Sequence, residues 1–200
     1  MRIAIIGAGN VGGALGKAFA TVGHDVVFGV RDPDSAKTLV ALSDIPSATA
    51  AAPSQAVDGA DVIVLALRPV AIGPMVKELP PLADRIVIDA MNRFEGDPLR
   101  STTDDLAELL PGAKLAKAFN TTGFENLSSA RDRESPVVMF VAADDADAKR
   151  AAMRLAAEIG FEPEDAGGLA NARPLEEMVR VWIALTQTHG RTIGFALSRS

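Results

Sequence analysis

The chain contains no cysteine and no tyrosine, and only two histidines, His24 and His189, far apart in sequence. Without cysteine there is no disulfide framework, no thiolate catalysis and no Cys-ligated metal. Two distant histidines give no basis for a His-rich zinc or iron site, so no metal is expected. No apolar run approaches the length of a membrane span, and no membrane partner is expected. Nor is there an excess of positive charge. The formal net charge is −6, which argues against nucleic acid or an anionic membrane surface as partner. Any anion must therefore be held by local positive groups rather than by the overall field.

What the sequence does have is a 48% hydrophobic composition over 200 residues, enough to bury a core without disulfide or metal staples. That length fits one domain over 1–200, with 170–200 as a C-terminal helical segment. Met1–Ala20 is apolar with one arginine and has the outline of a signal peptide. Its glycines interrupt the apolar core, so it reads as mature structure and the protein as cytoplasmic.

Short β-branched runs alternate with longer, Ala-rich helical patterns. Ile3–Ile6 reads as a buried strand, and Val11, Leu15, Ala18, Phe19 and Val22 repeat at the helical period. Asp25–Val30 reads as a second strand. Asp32 is a candidate N-cap for the next helix, with Pro33 at its first position. Further strands are expected at Ala48–Ala50, Asp61–Leu67, Arg85–Asp89, Lys114–Ala118, Val137–Ala142 and Phe161–Glu164. Asp145–Ile159 reads as a capped helix, and Asp132–Glu134 as a short charged loop. The alternation predicts an α/β fold, a doubly wound, mostly parallel sheet of the Rossmann type with a C-terminal helix. In that helix Leu175, Met178, Trp182, Leu185 and His189 form an apolar stripe, widened by Val179 and Ile183. The stripe packs on its own sheet or also forms a homodimer interface.

Gly7-Ala8-Gly9-Asn10-Val11-Gly12 matches G-x-G-x-x-G between a predicted strand and a predicted helix, the context that a dinucleotide-binding turn requires. Gly7 permits the turn, Gly9 leaves room for a pyrophosphate, and Gly12 lets the helix approach the strand. The helix start supplies N–H groups and positive potential. At the end of the second strand, where an acid would hold the ribose of NAD, stand Val30 and Arg31. Arg31 can grip a 2′-phosphate through its guanidinium fork, with Ser35 and Lys37 one turn on. The competing reading makes Asp32 the ribose acid, but Asp32 precedes Pro33 and reads as a cap. NADP(H) is therefore the expected cofactor.

In such sheets the ligand lies beyond the carboxyl ends of the strands. The loops there are Leu67-Arg68-Pro69, Met91-Asn92-Arg93 and Phe119-Asn120-Thr121-Thr122-Gly123. Asn92, Asn120 and Thr121 suit a carboxamide or ring carbonyl, or else serve as ordinary turn residues. Gly167-Gly168-Leu169 is a further candidate loop. Arg173 and Glu176 read as substrate contacts or as exposed helix charges, the second being favoured for Glu176. His24, His189 and Trp182 read as structural.

The segments RIAIIGAGNVGGALG, FGVRDPDSAK, DVIVLALRPVAI, IVIDAMN, KAFNTTGFENL, VMFVAADD and GFEPEDAGGLANARPLE together resemble the coenzyme F420-dependent NADP oxidoreductase family, including its short bacterial members. The likeness runs from Met1 to about Glu177. It implies hydride exchange between NADP(H) and F420 or a flavin-like ring, a small-molecule redox partner. Arg31 and Lys37 match the region that binds the 2′-phosphate. Asn92 and the stretch Lys117–Thr121, including Ala118 and Asn120, match loops lining the nicotinamide pocket. Met91, Phe119, Asn120, Thr121 and Gly168 are then the candidate contacts for the second ring. The sequence departs from the pattern at Arg68, where members often carry a neutral residue, and at Met91, which replaces a small hydroxyl residue. Hydride transfer between two rings needs stacking and exclusion of water, so no catalytic side chain is expected. Two other readings remain open: an NADPH-dependent reductase of a small carbonyl or imine, and a non-catalytic NADPH-binding redox sensor.

Overall fold

The strands are β1 (Arg2–Ile6), β2 (Asp25–Gly29), β3 (Thr49–Ala51), β4 (Val62–Leu65), β5 (Ile86–Asp89), β6 (Lys114–Lys117), β7 (Val138–Ala143) and β8 (Glu162–Asp165). In the computed structural model, which describes residues 1–45, 47–132 and 136–198, they form one eight-stranded sheet in the order β3-β2-β1-β4-β5-β6-β7-β8. Arg133 and Glu134, the greater part of the expected charged loop, lie outside the described residues. β1 lies parallel between β2 and β4, with Ile5 beside Phe28 and Val64. Strand order reverses between β1 and β4, which opens a crevice at their carboxyl ends.

Alternate residues along each strand bury opposite faces. Ile3, Ile5, Val64 and Ile88 pack with Leu15 and Phe19 of α1 (Asn10–Thr21) and with Leu155 of α7 (Ala146–Glu158). Ala4, Ile6, Ile63 and Val87 pack instead with Ala56 of α3 (Pro53–Ala56), Ile72 and Met75 of α4 (Ile72–Val76), and Leu106 of α5 (Thr102–Leu109). Both faces are covered at the centre of the sheet, so strands such as β1 and β4 read as unbroken apolar runs rather than alternating ones.

β7 runs antiparallel to β6, with Ala116 opposite Ala143, and β8 runs parallel to β7. The connection between β6 and β7 carries α6 (Phe124–Leu127), which packs against α1, and the chain returns without crossing to the far edge of the sheet. The loop after β8 therefore opens at the edge opposite to the loops after β1, β4, β5 and β6.

One helix expectation needs correction. The helix after β2 is α2 (Ala36–Leu42), capped by Ser35, whose Oγ accepts the Thr38 N–H at 3.3 Å. Asp32 is not the cap, because Asp32–Ser35 forms a turn with the Ser35 N–H bonded to the Asp32 carbonyl. In α8 (Ala172–His189) the buried residues are Ala172, Leu175, Glu176, Val179, Trp182 and Thr186. Ile183 and Leu185 are exposed, as is His189. The inward face is fixed by Glu176 and by Trp182, whose ring lies against Gly123. Beyond Gly190 the chain turns back, and the Ile193 carbonyl accepts from Trp182 Nε1 (2.8 Å) and Asn126 Nδ2 (2.9 Å). Asp145 caps α7 as expected, accepting the Asp147 and Ala148 N–H groups. Asp145→Ala is expected to lower stability by about 1 kcal/mol, read as a shifted urea midpoint at unchanged slope.

Candidate functional site

The turn after β1 is shaped by steric need. Gly7 has φ +108°, and a Cβ there would sit 2.5 Å from the Ala66 carbonyl oxygen. A Cβ on Gly12 would lie 2.0 Å from the Gly7 carbonyl oxygen, so both positions demand glycine for the fold itself. At Gly9 the same Cβ would meet nothing within 4 Å. The absent side chain at Gly9 thus leaves open space rather than relieving a contact. No side chain caps the N-terminus of α1 and no acid occupies its first turn, so its positive end is open to an external anion. Asn10 and Val11 form the first residues of that helix.

The crevice is a cleft of about 690 Å³. Gly7, Ala8 and Gly9 form its floor; Val30, Arg31 and Ser35 form the wall after β2, and Leu67, Arg68 and Val70 the wall after β4. Pro69 begins a short 3₁₀ turn, Pro69–Ala71, that carries Val70. Ser35 Oγ lies 3.1 Å from the Asp32 carbonyl, to which it can donate. Lys37 occupies α2, and its side chain lies outside the described residues. Among the described arginines, every one except Arg31 and Arg68 has a protein partner: a carboxylate in most cases, a carbonyl for Arg85 and Arg131. Arg31 and Arg68 are both exposed, and both line this cleft.

The loops after β5 and β6 meet beside the cleft. Asn92 Nδ2 donates to the Asn120 carbonyl (3.0 Å) and Asn120 Nδ2 donates to Asn92 Oδ1 (3.1 Å). Asn120 Oδ1 is buried and accepts no hydrogen bond. Met91, Ala118, Phe119, Asn120 and Thr121 are all buried. Phe119 has φ +62°, a left-handed conformation costing about 1–2 kcal/mol for an L-residue. Its N–H points to Met139 Sδ and its ring stacks edge-on against Phe19. Gly168 stands apart: the Gly167 carbonyl accepts from the Ala143 N–H and Leu169 lies near Lys114, at the amino ends of β5 and β6.

Beneath these loops lies a charged cluster that the sequence did not reveal. Lys117, Asp89 and Glu176 are each 0% exposed. Lys117 Nζ donates to Glu176 Oε1 (2.6 Å), the Met91 carbonyl (2.6 Å) and Asp89 Oδ2 (3.1 Å). Asp89 also accepts from the hydroxyls of Thr102 and Thr103 and from the Met91 N–H. Glu176 accepts the Thr102 N–H at Oε1 and the Arg93 N–H at Oε2. Burial, the largest influence, pushes the Glu176 carboxyl up. The Lys117 ammonium and the Thr102 bonds outweigh burial and hold it below the usual carboxylate range. Glu176 is thus a buried ion and not the exposed helix charge expected of it. The usable signal was a base and an acid ending adjacent, otherwise apolar strands.

His24 is buried and paired with Glu158 through Nε2 (2.9 Å), a structural role far from the cleft. No helix among the described residues is long and apolar enough to cross a membrane.

A family model for coenzyme F420-dependent NADP oxidoreductases matches residues 2–93, which include the glycine turn and both unpaired arginines. A crystal structure from Arthrobacter sp. FB24, provisionally described as an F420-dependent NADP-reductase, is 26% identical. It matches over 100% of both chains with a TM-score of 0.86. The hypothetical protein SMa0349 of Sinorhizobium meliloti is 30% identical over 87% of this chain and 88% of that one, with a TM-score of 0.76. Among curated proteins, the metalloreductase STEAP3 of Rattus norvegicus is 29% identical over 179 residues. That alignment takes in 88% of this chain but 36% of STEAP3, so the chain spans about a third of that relative's length.

Proposed function

We infer that this chain, which belongs to the family of coenzyme F420-dependent NADP oxidoreductases, binds NADP(H) across the cleft and exchanges hydride with F420 or a flavin-like ring. The observation that carries this reading is the pair of arginines. In a protein of net charge −6, the described arginines are neutralised or bonded except the two that line one cleft, after β2 and after β4. Uncompensated cations at such a place suit a ligand carrying several phosphates.

The residues present fit that group. Gly9 leaves the space, and the uncapped start of α1 offers N–H groups to a pyrophosphate. Arg31, at the end of β2, is placed to hold a 2′-phosphate, with Ser35 and Lys37 on the following turn. Leu67, Arg68 and Val70 form the wall after β4, with Pro69 between Arg68 and Val70 in the chain. Asn92 and Asn120 lie on the β5–β6 side, where the second nucleotide of a dinucleotide falls. The unpaired Asn120 Oδ1 is an acceptor of the kind that a carboxamide N–H satisfies. When bound, the nicotinamide supplies or takes up the hydride. The chain's own contribution is to bind, orient and exclude water.

Arg31→Ala tests the reading directly. Loss of a charge-assisted contact should raise the NADPH dissociation constant about ten- to hundredfold and leave NADH binding unchanged. Equal binding of NADPH by variant and wild type would sink the assignment. The partner is tested by mixing wild type, NADPH and F420 or FMN and following the absorbance of the acceptor. Tight NADPH binding with no reduction of either ring would leave a carbonyl or imine reductase, or a sensor, in its place.

A further inference from the structure

We propose that the buried Lys117–Asp89–Glu176 cluster is a positioning device: through it the C-terminal helix α8 sets the backbone turn that presents Asn92 and Asn120 to the nicotinamide half of the cofactor. The proposal rests on the reading of the cleft as an NADP(H) site.

The cluster grips the turn 91–93 at three backbone atoms. Asp89 Oδ1 accepts the Met91 N–H at 2.9 Å, Lys117 Nζ donates to the Met91 carbonyl at 2.6 Å, and Glu176 Oε2 accepts the Arg93 N–H at 3.0 Å. Asn92 lies between these fixed points, so its side-chain direction follows from them. Asn92 in turn holds the loop after β6 through the reciprocal pair with Asn120. Three ions together therefore fix two loops, and one of them, Glu176, lies on a helix 59 residues further along the chain than Lys117. Asp89 and Lys117 end adjacent strands, whereas Glu176 comes from outside the sheet. Only with α8 docked does Lys117 have its second carboxylate.

Stability alone is a poor account of the arrangement. Buried ion pairs are often no more stabilising than apolar residues of similar volume, and Leu or Met at these positions would fill the same space. What an apolar trio could not do is fix three backbone groups of one turn. The adenosine half of the cleft, with Arg31, Ser35 and Arg68, touches none of the cluster. The two halves should then respond differently when the cluster is dismantled.

The test is the double variant Lys117→Met/Glu176→Gln, which removes one charge of each sign and keeps an acceptor for the Thr102 N–H. It releases the Met91 carbonyl and the Arg93 N–H. Dissociation constants are measured for 2′,5′-ADP, which fills the adenosine half alone, and for NADPH. The NADPH constant should rise about tenfold or more, and the 2′,5′-ADP constant should stay unchanged. Binding of both ligands as in wild type, or an equal loss of both, overturns the proposal. If the double variant does not fold, Glu176→Gln alone releases the Arg93 N–H and is read in the same way. A wild type that binds neither ligand overturns the cofactor reading as well, and so separates that failure from this one.

Discussion

Lys117→Met should destabilise the protein by about 3–5 kcal/mol at neutral pH, the usual cost of removing one partner from a buried ion pair. It should also change the protein's response to acid. In the wild type the Glu176 carboxyl is held below its ordinary value. A depressed folded-state pKa contributes stability above the unfolded value, near 4.3 for Glu, and that stability is lost as pH falls through the folded value. The wild type should therefore hold its stability from pH 7 to about 5 and weaken below about 4. In the variant, burial, the largest influence on Glu176, remains while the ammonium, the largest opposing one, is gone. The carboxyl is expected to rise above its ordinary value against the Thr102 bonds that remain. A raised folded-state pKa gives stability present below the unfolded value and lost as pH rises through the folded one. Acidification from pH 7 towards 5 should thus stabilise the variant while leaving the wild type level. Urea midpoints at pH 7, 6 and 5 check this. A constant gap between the two proteins across that range would mean that Glu176 does not sense Lys117.

The same cluster marks the limit of what the sequence discloses. The central strands β1, β2, β4 and β5 could be read because both faces of the sheet are buried there and their residues are mostly apolar. The glycine turn could be read because three positions carry independent steric demands at fixed spacing. Glu176 could not be read in this way. Within α8 it sits among Arg173, Glu177 and Arg180, and helical periodicity treats all four as the solvated side. Its burial is decided by Lys117 on β6 and by the Thr102 and Arg93 N–H groups, none of them local. Ile183 and Leu185 lie off the face that this chain buries. They continue an apolar period, but the helix turns its Trp182 face inward against Gly123.

Gly168 illustrates a different limit. A glycine pair after the last strand looks like another loop at the ligand edge, as long as every strand points the same way. The single antiparallel pairing of β7 with β6 reverses β8 as well and carries Gly168 to the amino ends of β5 and β6. Nothing in the composition of VMFVAA or EPED encodes direction. What decides it is that the short α6 packs on α1 and the chain returns without a crossover. At Asp32 the competition was local: Pro33 favoured a helix start, but the Ser35 hydroxyl reaches the Thr38 N–H and takes the cap three residues later.

Substitution along the glycine turn should separate folding from binding more sharply than any other set of variants. Gly9→Ala should leave thermal stability within about 1 kcal/mol of wild type, because the added methyl meets nothing and Gly9 has an extended conformation open to any residue. Its cost should fall on the ligand, since the methyl projects into the space where a pyrophosphate must approach the backbone. The NADPH dissociation constant should rise by about two orders of magnitude, as for loss of two charge-assisted hydrogen bonds. Gly12→Ala should do the opposite. A Cβ 2.0 Å from the Gly7 carbonyl oxygen cannot be relieved by turning a side chain, so α1 must move off β1, at a cost in the range of about 1–3 kcal/mol or more for overpacking. Binding by the folded fraction would then fall with stability rather than ahead of it. If Gly9→Ala bound NADPH as tightly as wild type, the ligand would not lie against this turn, and the two unpaired arginines would need another anion to explain them.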